Sequence, residues 1–72
     1  MIGKEIKAHR KAKGMTQESM GRALNLSQNT IAQYESGKRT PTVYRLLEIA
    51  GVLGCSVADL LQEEQRESGA VR

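Results

Sequence analysis

The chain has 72 residues, a net charge of +3, one cysteine, two tyrosines and neither Trp nor Phe. This length allows one domain at most, and a single cysteine excludes the internal disulfide framework of small secreted proteins. No apolar run approaches the length of a membrane span, and no long apolar segment follows the N-terminal lysines as a secretory signal requires. We therefore expect a cytoplasmic domain with an aliphatic core and no membrane partner.

The charge is distributed unevenly along the chain. Residues 1–45 contain nine Lys and Arg residues and three Glu residues, a net +6, whereas residues 46–72 contain two arginines and five carboxylates, a net −3. One end of the molecule should therefore attract a polyanion. The alternative is that these side chains only solvate a small domain, but their segregation favours a nucleic-acid partner.

The first predicted helix covers residues 2–13. Ile2 and Ile6 lie on one face at helical spacing, and Gly14 is a typical residue to end the helix. His9 is the only histidine, and the single cysteine is distant in sequence, so we expect no metal site and a structural role for this side chain.

Arg10 lies on or beside the apolar face of this first helix. A charged group there needs a partner, and Glu35 is the candidate for a structural ion pair. Such a pair specifies an arrangement more than it stabilises it, because removing one member leaves a buried uncompensated charge.

The stretch from Thr16 to Ser36 predicts two short helices joined by a tight turn. Gly21 is small enough for close approach of crossed helices, and Asn25 tolerates the positive φ that the turn requires. Leu26 can fill the angle between the helices, and Ser27 can cap the second one. An ordinary αα-hairpin in a small bundle is the alternative, because short helix pairs are common.

The second helix of this pair, residues 28–36, has an exposed face of amides and hydroxyls. Gln28, Asn29 and Gln33 can each pair bidentately with adenine, and Thr30 can offer its methyl group to thymine or its hydroxyl to a phosphate. No Arg or Lys occurs in this helix, so we expect A·T pairs among the contacted bases. These four residues are the predicted base contacts.

Phosphate contacts are predicted around this helix. Gln17 lies in the first turn of the preceding helix, where free N–H groups and the helix dipole favour an anion. Lys38 and Arg39 follow directly after Gly37, although they could also form an ordinary exposed basic loop. The predicted phosphate-contacting residues are Gln17, Ser27, Arg10, Lys38 and Arg39.

Two further helices complete the expected domain. Pro41, with Thr40 or Thr42 as cap, is predicted to open a fourth helix that runs to about Leu53, and Ser56 is predicted to cap a last short one. The apolar residues that look surplus to the core suggest a dimer interface; they are Val57, Leu61, Tyr44 and Leu47. We expect residues 1–61 to form the domain and the polar segment 62–72 to be a disordered tail.

The whole pattern resembles the Cro/repressor type of helix-turn-helix domain, a bacterial and phage family often called XRE-like. The similarity extends from Ile2 to Leu61 and keeps its register without a gap. The family usually has alanine at the position of Gly21 and glycine at that of Asn25, and both substitutes meet the same steric demands. The matching residues are Ile2, Gly3, Ile6, Arg10, residues 14–18, Met20, residues 24–27, Ile31, Tyr34, Glu35, Gly37, Pro41, Leu46, Ile49, Ala50, Leu53, Gly54, Ser56, Leu60 and Leu61.

The resemblance implies an all-α fold of five helices and sequence-specific binding of double-stranded DNA, commonly as a two-fold homodimer that controls transcription. It also implies the ion pair between Arg10 and Glu35 and a phosphate contact by Gln17. The competing function is an antitoxin-type or adaptor protein whose main partner is another protein. An enzyme is rejected, because the chain has no phosphate-binding Gly-rich loop, no convincing pair of catalytic carboxylates and too small a body for a deep pocket. No cofactor is expected.

Overall fold

Five α-helices follow one another in the computed structural model, which describes residues 2–61. This part of the chain contains no strand, and the predicted all-α fold with five helices is confirmed. The predicted disordered tail, 62–72, lies outside the described residues. The helices are α1 (Ile2–Ala12), α2 (Gln17–Leu24), α3 (Gln28–Ser36), α4 (Val43–Leu53) and α5 (Val57–Leu60).

The core is aliphatic apart from one tyrosine, and every helix contributes to it. The apolar positions recur at helical spacing in the longer helices, so each helix buries one stripe. α3 packs against both α1 and α2, which places its opposite face at the surface. The buried apolar residues are Ile6, Met20, Leu24, Ile31, Tyr34, Leu46, Ile49, Ala50, Leu53 and Leu60.

Hydroxyl side chains cap the N-termini of four helices. In each case the hydroxyl oxygen accepts a hydrogen bond from the backbone N–H three residues later, which satisfies one of the orphan donors of the first turn. Of the two caps predicted for α4, Thr42 is the one observed: it is extended and caps the helix, so Val43 is the first helical residue and Pro41 lies just before the helix. The four caps are Thr16, Ser27, Thr42 and Ser56.

The turn between α2 and α3 has the backbone that the sequence requires. Asn25 has φ 60° and ψ 41°, the left-handed conformation expected for this position. The Leu26 amide donates to the Gly21 carbonyl oxygen at 2.7 Å. A Cβ at Gly21 would lie only 2.6 Å from the Leu26 carbonyl oxygen, so the close approach is to the turn itself. Alanine would therefore not meet the same steric demand here, contrary to the expectation from the family pattern.

The N-terminal turn of α1 touches the C-terminal turn of α3 through backbone atoms. A Cβ at Gly3 would lie 2.5 Å from the carbonyl oxygens of both Tyr34 and Glu35. Only a residue without a side chain allows this contact. Gly3 therefore determines how closely α1 packs against α3, the helix with the predicted base contacts.

Among residues 2–61, the large apolar side chains that are exposed lie on α4. Tyr44 and Leu47 are 83% and 55% exposed, as a partner surface requires, and Val43, which the sequence analysis missed, is 72% exposed. Val57 was expected to be surplus to the core, but it is half-buried and packs against the core, because α5 lies against α1 and α4. Leu61 is half-buried.

Two ionisable side chains with shifted pKa values, Cys55 and Asp59, lie at or near α5, away from the exposed face of α3. The pKa of the half-buried Cys55 thiol is raised, mainly by burial and secondarily by the nearby Asp59 carboxylate. The pKa of Asp59 lies below its ordinary value of 3.8, because the backbone N–H of Ser56 donates to its carboxylate at 3.0 Å. None of the helices within residues 2–61 is long and apolar enough to cross a bilayer.

Candidate nucleic-acid interface

α3 separates its polar face from its buried face along nearly its whole length. Ile31 and Tyr34 point into the core, together with Glu35. On the other side, Gln28 and Asn29 are exposed and Gln33 is half-buried. Asn29 and Gln33 are four residues apart and therefore lie on the same face, whereas Gln28 lies at the first turn beside α2.

The buried Glu35 carboxylate forms the predicted ion pair with Arg10. The guanidinium Nε donates to Oε2 at 2.6 Å, and Nη2 donates to Oε1 at 3.1 Å. The remaining nitrogen, Nη1, donates to the Met15 carbonyl oxygen at 2.8 Å. Both side chains are therefore buried, and all three guanidinium nitrogens and both carboxylate oxygens form hydrogen bonds, as a buried ion pair requires.

The phosphate contact predicted for Arg10 disagrees with this geometry. Arg10 is only 7% exposed, and its guanidinium is occupied by Glu35 and the Met15 carbonyl. Reaching a phosphate would require breaking the buried pair. The role of Arg10 is therefore to hold Glu35, and through it the C-terminal end of α3, against α1.

Gln17 joins this ion pair to the exposed end of α3. Its Nε2 donates to Glu35 Oε1 at 3.1 Å, and its Oε1 accepts from Gln28 Nε2 at 3.4 Å. This bridge was not predicted from the sequence. One feature of the sequence points to it: Gln28 and Glu35 are seven residues apart, so both lie on the side of α3 that faces α2.

The hydroxyls at the start of α3 are engaged locally. Ser27 Oγ accepts from the backbone N–H of Thr30 at 3.1 Å and lies 3.0 Å from Thr30 Oγ1. Ser27 is exposed and Thr30 is half-buried. Their hydroxyls therefore define the N-terminus of α3, and the Thr30 methyl group is the part of that side chain that is free of hydrogen bonding.

Positive charge borders α3 on its C-terminal side. Lys38 and Arg39 are exposed, and the Arg39 amide donates to the Gln33 carbonyl oxygen at 3.2 Å, which ties the loop to the helix. Arg39 also lines a cleft together with Thr30 and Arg45. Arg45 was not predicted as a site residue; its Nη1 donates to Glu48 Oε1 at 2.7 Å and lies 3.4 Å from the Leu24 carbonyl oxygen.

The surface so formed suits recognition of an extended anionic ligand with polar edges. Glu35 is the only carboxylate of α3, and it is buried, so the outer face of this helix presents amides and no negative charge. Within residues 2–61, no three His, Cys, Asp or Glu side chains come together as a metal site. The chemistry available on this face is hydrogen bonding.

Comparison with known proteins gives a consistent result. The family model described as helix-turn-helix matches residues 6–60. The chain is 36% identical over 63 residues to the uncharacterized HTH-type transcriptional regulator YazB of Bacillus subtilis, a match that covers 88% of this chain and 91% of YazB. It is 35% identical to the immunity repressor of Bacillus phage phi105, over 88% of this chain but only 44% of the repressor.

Solved structures show the same fold. The P22 c2 repressor in complex with a synthetic operator is 30% identical with a TM-score of 0.78, and the match covers 83% of this chain and 91% of the repressor. SinR, a master regulator of biofilm formation solved in complex with DNA, is 31% identical with a TM-score of 0.78, over 85% of this chain and 98% of that one. The resemblance found in the sequence is thus confirmed, and the chain belongs to the Cro/repressor (XRE-like) type of the helix-turn-helix family of transcriptional regulators.

Proposed function

We propose that this protein binds double-stranded DNA sequence-specifically to control transcription, and that α3 enters the major groove. The observation that carries the proposal is the outer face of α3, which presents amide side chains while its single carboxylate is buried in an ion pair. An α-helix fits the major groove, and there each base pair displays a distinct donor and acceptor pattern. The P22 c2 repressor and SinR, both solved with DNA, give independent support.

Base reading is assigned to the N-terminal half of α3. Gln28, Asn29 and Gln33 each carry one donor and one acceptor group, the combination that pairs with adenine N7 and N6. Thr30 can place its methyl group against a thymine methyl. Since α3 contains neither Arg nor Lys, A·T pairs should be prominent among the contacted bases.

Affinity is assigned to contacts with the phosphate backbone. Lys38 and Arg39 are exposed beside α3; Ser27 and Gln17 lie at the N-termini of α3 and α2, where helix dipoles favour an anion. Phosphate contacts position a protein on the duplex without reading its sequence. Arg10 is omitted from this set because it is buried.

Because Gln28 is assigned to base reading and Lys38 to phosphate contact, Gln28→Ala and Lys38→Ala should have different effects. Gln28→Ala should abolish base preference at one position, where a bidentate pair discriminates by about 1–3 kcal/mol. Lys38→Ala should weaken binding to all sequences and lower the slope of log affinity against log salt by about one. Selection from randomised duplexes, followed by salt titration of the selected duplex, measures both effects. Equal changes in sequence preference for the two variants would contradict the assignment, as would a purely G·C consensus for the wild type.

We further infer a two-fold dimer on paired half-sites roughly 34 Å apart. Val43, Tyr44 and Leu47 form an exposed apolar strip on α4, because Leu47 lies three residues after Tyr44 and four after Val43. Leu61 is half-buried and could contribute at the edge of this strip. Val57 is left out because it packs against the core.

Leu47→Lys tests the dimer, with Glu48→Gln as an exposed control on the same helix. Because Leu47 is 55% exposed, the lysine should leave the fold intact and weaken association at least tenfold, by removing apolar burial and adding like-charge repulsion across the two-fold axis. Sedimentation velocity, with and without a duplex carrying two half-sites, measures the association. A wild-type monomer at high micromolar concentration under both conditions would rule the dimer out and leave the strip to a different protein partner.

A further inference from the structure

Gly51 lies inside α4 on its exposed side, and no contact within residues 2–61 requires glycine there. Its backbone is helical, so the position does not form a turn. The residue is exposed, and a Cβ built on it would meet no atom within 4 Å. Glycine is among the poorest residues for a helix interior. Its missing side chain therefore leaves an open notch at the surface without improving the packing of the described domain.

This notch continues the apolar strip of α4 by one turn. Gly51 follows Leu47 by four residues and Tyr44 by seven, so the three positions lie on one face of the helix. Tyr44 is 83% exposed at the other end of this face, about 10.5 Å away along the helix axis. Helical side chains lean toward the N-terminus of their helix, so the Tyr44 ring leans away from Gly51 and cannot fill the notch in its own chain.

A face that carries a protruding ring at one end and an open notch at the other is complementary to a second copy of itself. In a two-fold interface, if one residue contacts a second, the second also contacts the first across the axis. We propose that two copies of α4 pack antiparallel, with Tyr44 of each copy seated in the notch at the partner's Gly51. The midpoint of positions 44 and 51 lies next to Leu47, so both copies of Leu47 meet near the axis. The inference deepens the proposed dimer and rests on it.

The charges of the chain favour a second copy at this face. The strip and Gly51 carry no charged side chain, whereas the whole chain has a net charge of +3. Two copies of a basic protein meet most favourably where neither presents a cation, because like charges placed opposite one another weaken association. An uncharged strip matches an equally uncharged strip, and it offers no ionic group to a strongly charged partner.

The area of the strip determines how strong the contact can be. An aromatic side chain buries roughly 150–250 Å², and Val43 and Leu47 add aliphatic side chains that are 72% and 55% exposed. This area is smaller than the roughly 800 Å² per partner of a standard stable interface. Association should therefore be weak in the free protein and should tighten on a duplex with two half-sites, which raises the effective concentration of one copy near the other.

Gly51→Leu tests the contact, because leucine fills the notch and excludes the partner's Tyr44. Association measured by sedimentation equilibrium, without DNA and on a duplex with two half-sites, should weaken about tenfold or more through overpacking. Gly51→Ala should weaken association several-fold while it stabilises the single domain through helix propensity. An apolar group added to a patch without fixed geometry would instead strengthen association, so the sign of the change identifies the notch.

Ala8→Leu is the matched control for Gly51→Leu. It adds a similar apolar group to the exposed side of a different helix, α1. Circular dichroism should show a native helix content for both variants. Association of Ala8→Leu should equal that of the wild type under both conditions.

Tyr44→Ala, alone and combined with Gly51→Leu, provides a second test. Alone it should weaken association about tenfold, because it removes the ring that fills the notch. In the double variant the added leucine enters the space that the partner's ring has left, so association should exceed the product of the two single effects by several-fold. Such coupling has to arise across the interface, since the two side chains do not meet within one chain.

The possible outcomes separate this contact from the rest of the proposed function. Wild-type association of Gly51→Leu, or purely independent effects of the two substitutions, would overturn the contact even if a dimer forms. A wild type that stays monomeric at high micromolar concentration, with and without the duplex, would overturn the dimer and the contact together. Failure to bind any duplex, with association weakened by Gly51→Leu and partly restored in the double variant, would instead reject DNA recognition and support the contact.

Discussion

Replacing Arg10 with methionine is expected to destabilise the domain by about 3–5 kcal/mol, because it leaves the Glu35 carboxylate buried without its counter-charge. Glu35 is 6% exposed, and of its two oxygens only Oε1 would keep a hydrogen bond, the one from Gln17. A domain of this size has a total stability of roughly 3–9 kcal/mol. Urea unfolding followed by circular dichroism should therefore show a variant that is largely unfolded or close to it.

Two further variants make this expectation specific to the ion pair. Arg10→Met combined with Glu35→Met removes both charges and should recover most of the lost stability, since apolar replacement of a buried pair is often close to neutral. Lys38→Met removes an exposed cation and should change stability by no more than about 0.5 kcal/mol. A single Arg10→Met variant as stable as Lys38→Met would show that the pair does not hold α3 as described.

Gly3→Ala should destabilise the domain by about 2–3 kcal/mol, at the upper end of overpacking effects. The added Cβ would lie 2.5 Å from two carbonyl oxygens, those of Tyr34 and Glu35. Both are backbone atoms and cannot rotate away, so α1 must move away from α3. The gain in helix propensity, about 1 kcal/mol, offsets only part of this cost. Thermal and urea unfolding measure the net change.

Gly51→Ala is the matched control for this prediction. Gly51 is also inside a helix, but a Cβ there would meet no atom within 4 Å. The same substitution should therefore stabilise the domain by up to about 1 kcal/mol through helix propensity alone. Equal effects of the two substitutions, of either sign, would show that the contact between α1 and α3 is not as close as the structure indicates.

Much of the fold could be predicted because it follows from local rules. The start of α3 at Gln28 follows from Ser27 as cap, and the left-handed turn from Asn25; both are decided by a few neighbouring atoms. The ion pair between Arg10 and Glu35 was also predictable, because a charged residue beside an apolar helix face must have a partner nearby. The placement of the glutamines on α3 follows from helical periodicity.

The features that were missed depend on how the helices pack. The sequence does not reveal that Gln17 reaches Glu35, since this contact joins α2 to the far end of α3. Arg10 was expected to serve both the ion pair and a phosphate, which its depth in the packed domain prevents. Val57 was expected at a partner surface. Its partial burial could not be foreseen from the sequence, because it depends on how α5 packs against α1 and α4.

A titration with DNA, followed residue by residue, shows whether α3 is the part of the protein that contacts the bases. A nitrogen–proton correlation spectrum is recorded while a duplex from the base selection is titrated in, and again with a duplex mutated at the selected bases. Base reading by α3 predicts that the side-chain amide signals of Gln28, Asn29 and Gln33 all shift with the selected duplex and much less with the mutated one. Shifts confined to Val43, Tyr44 and Leu47, or no shifts at low salt, would contradict it.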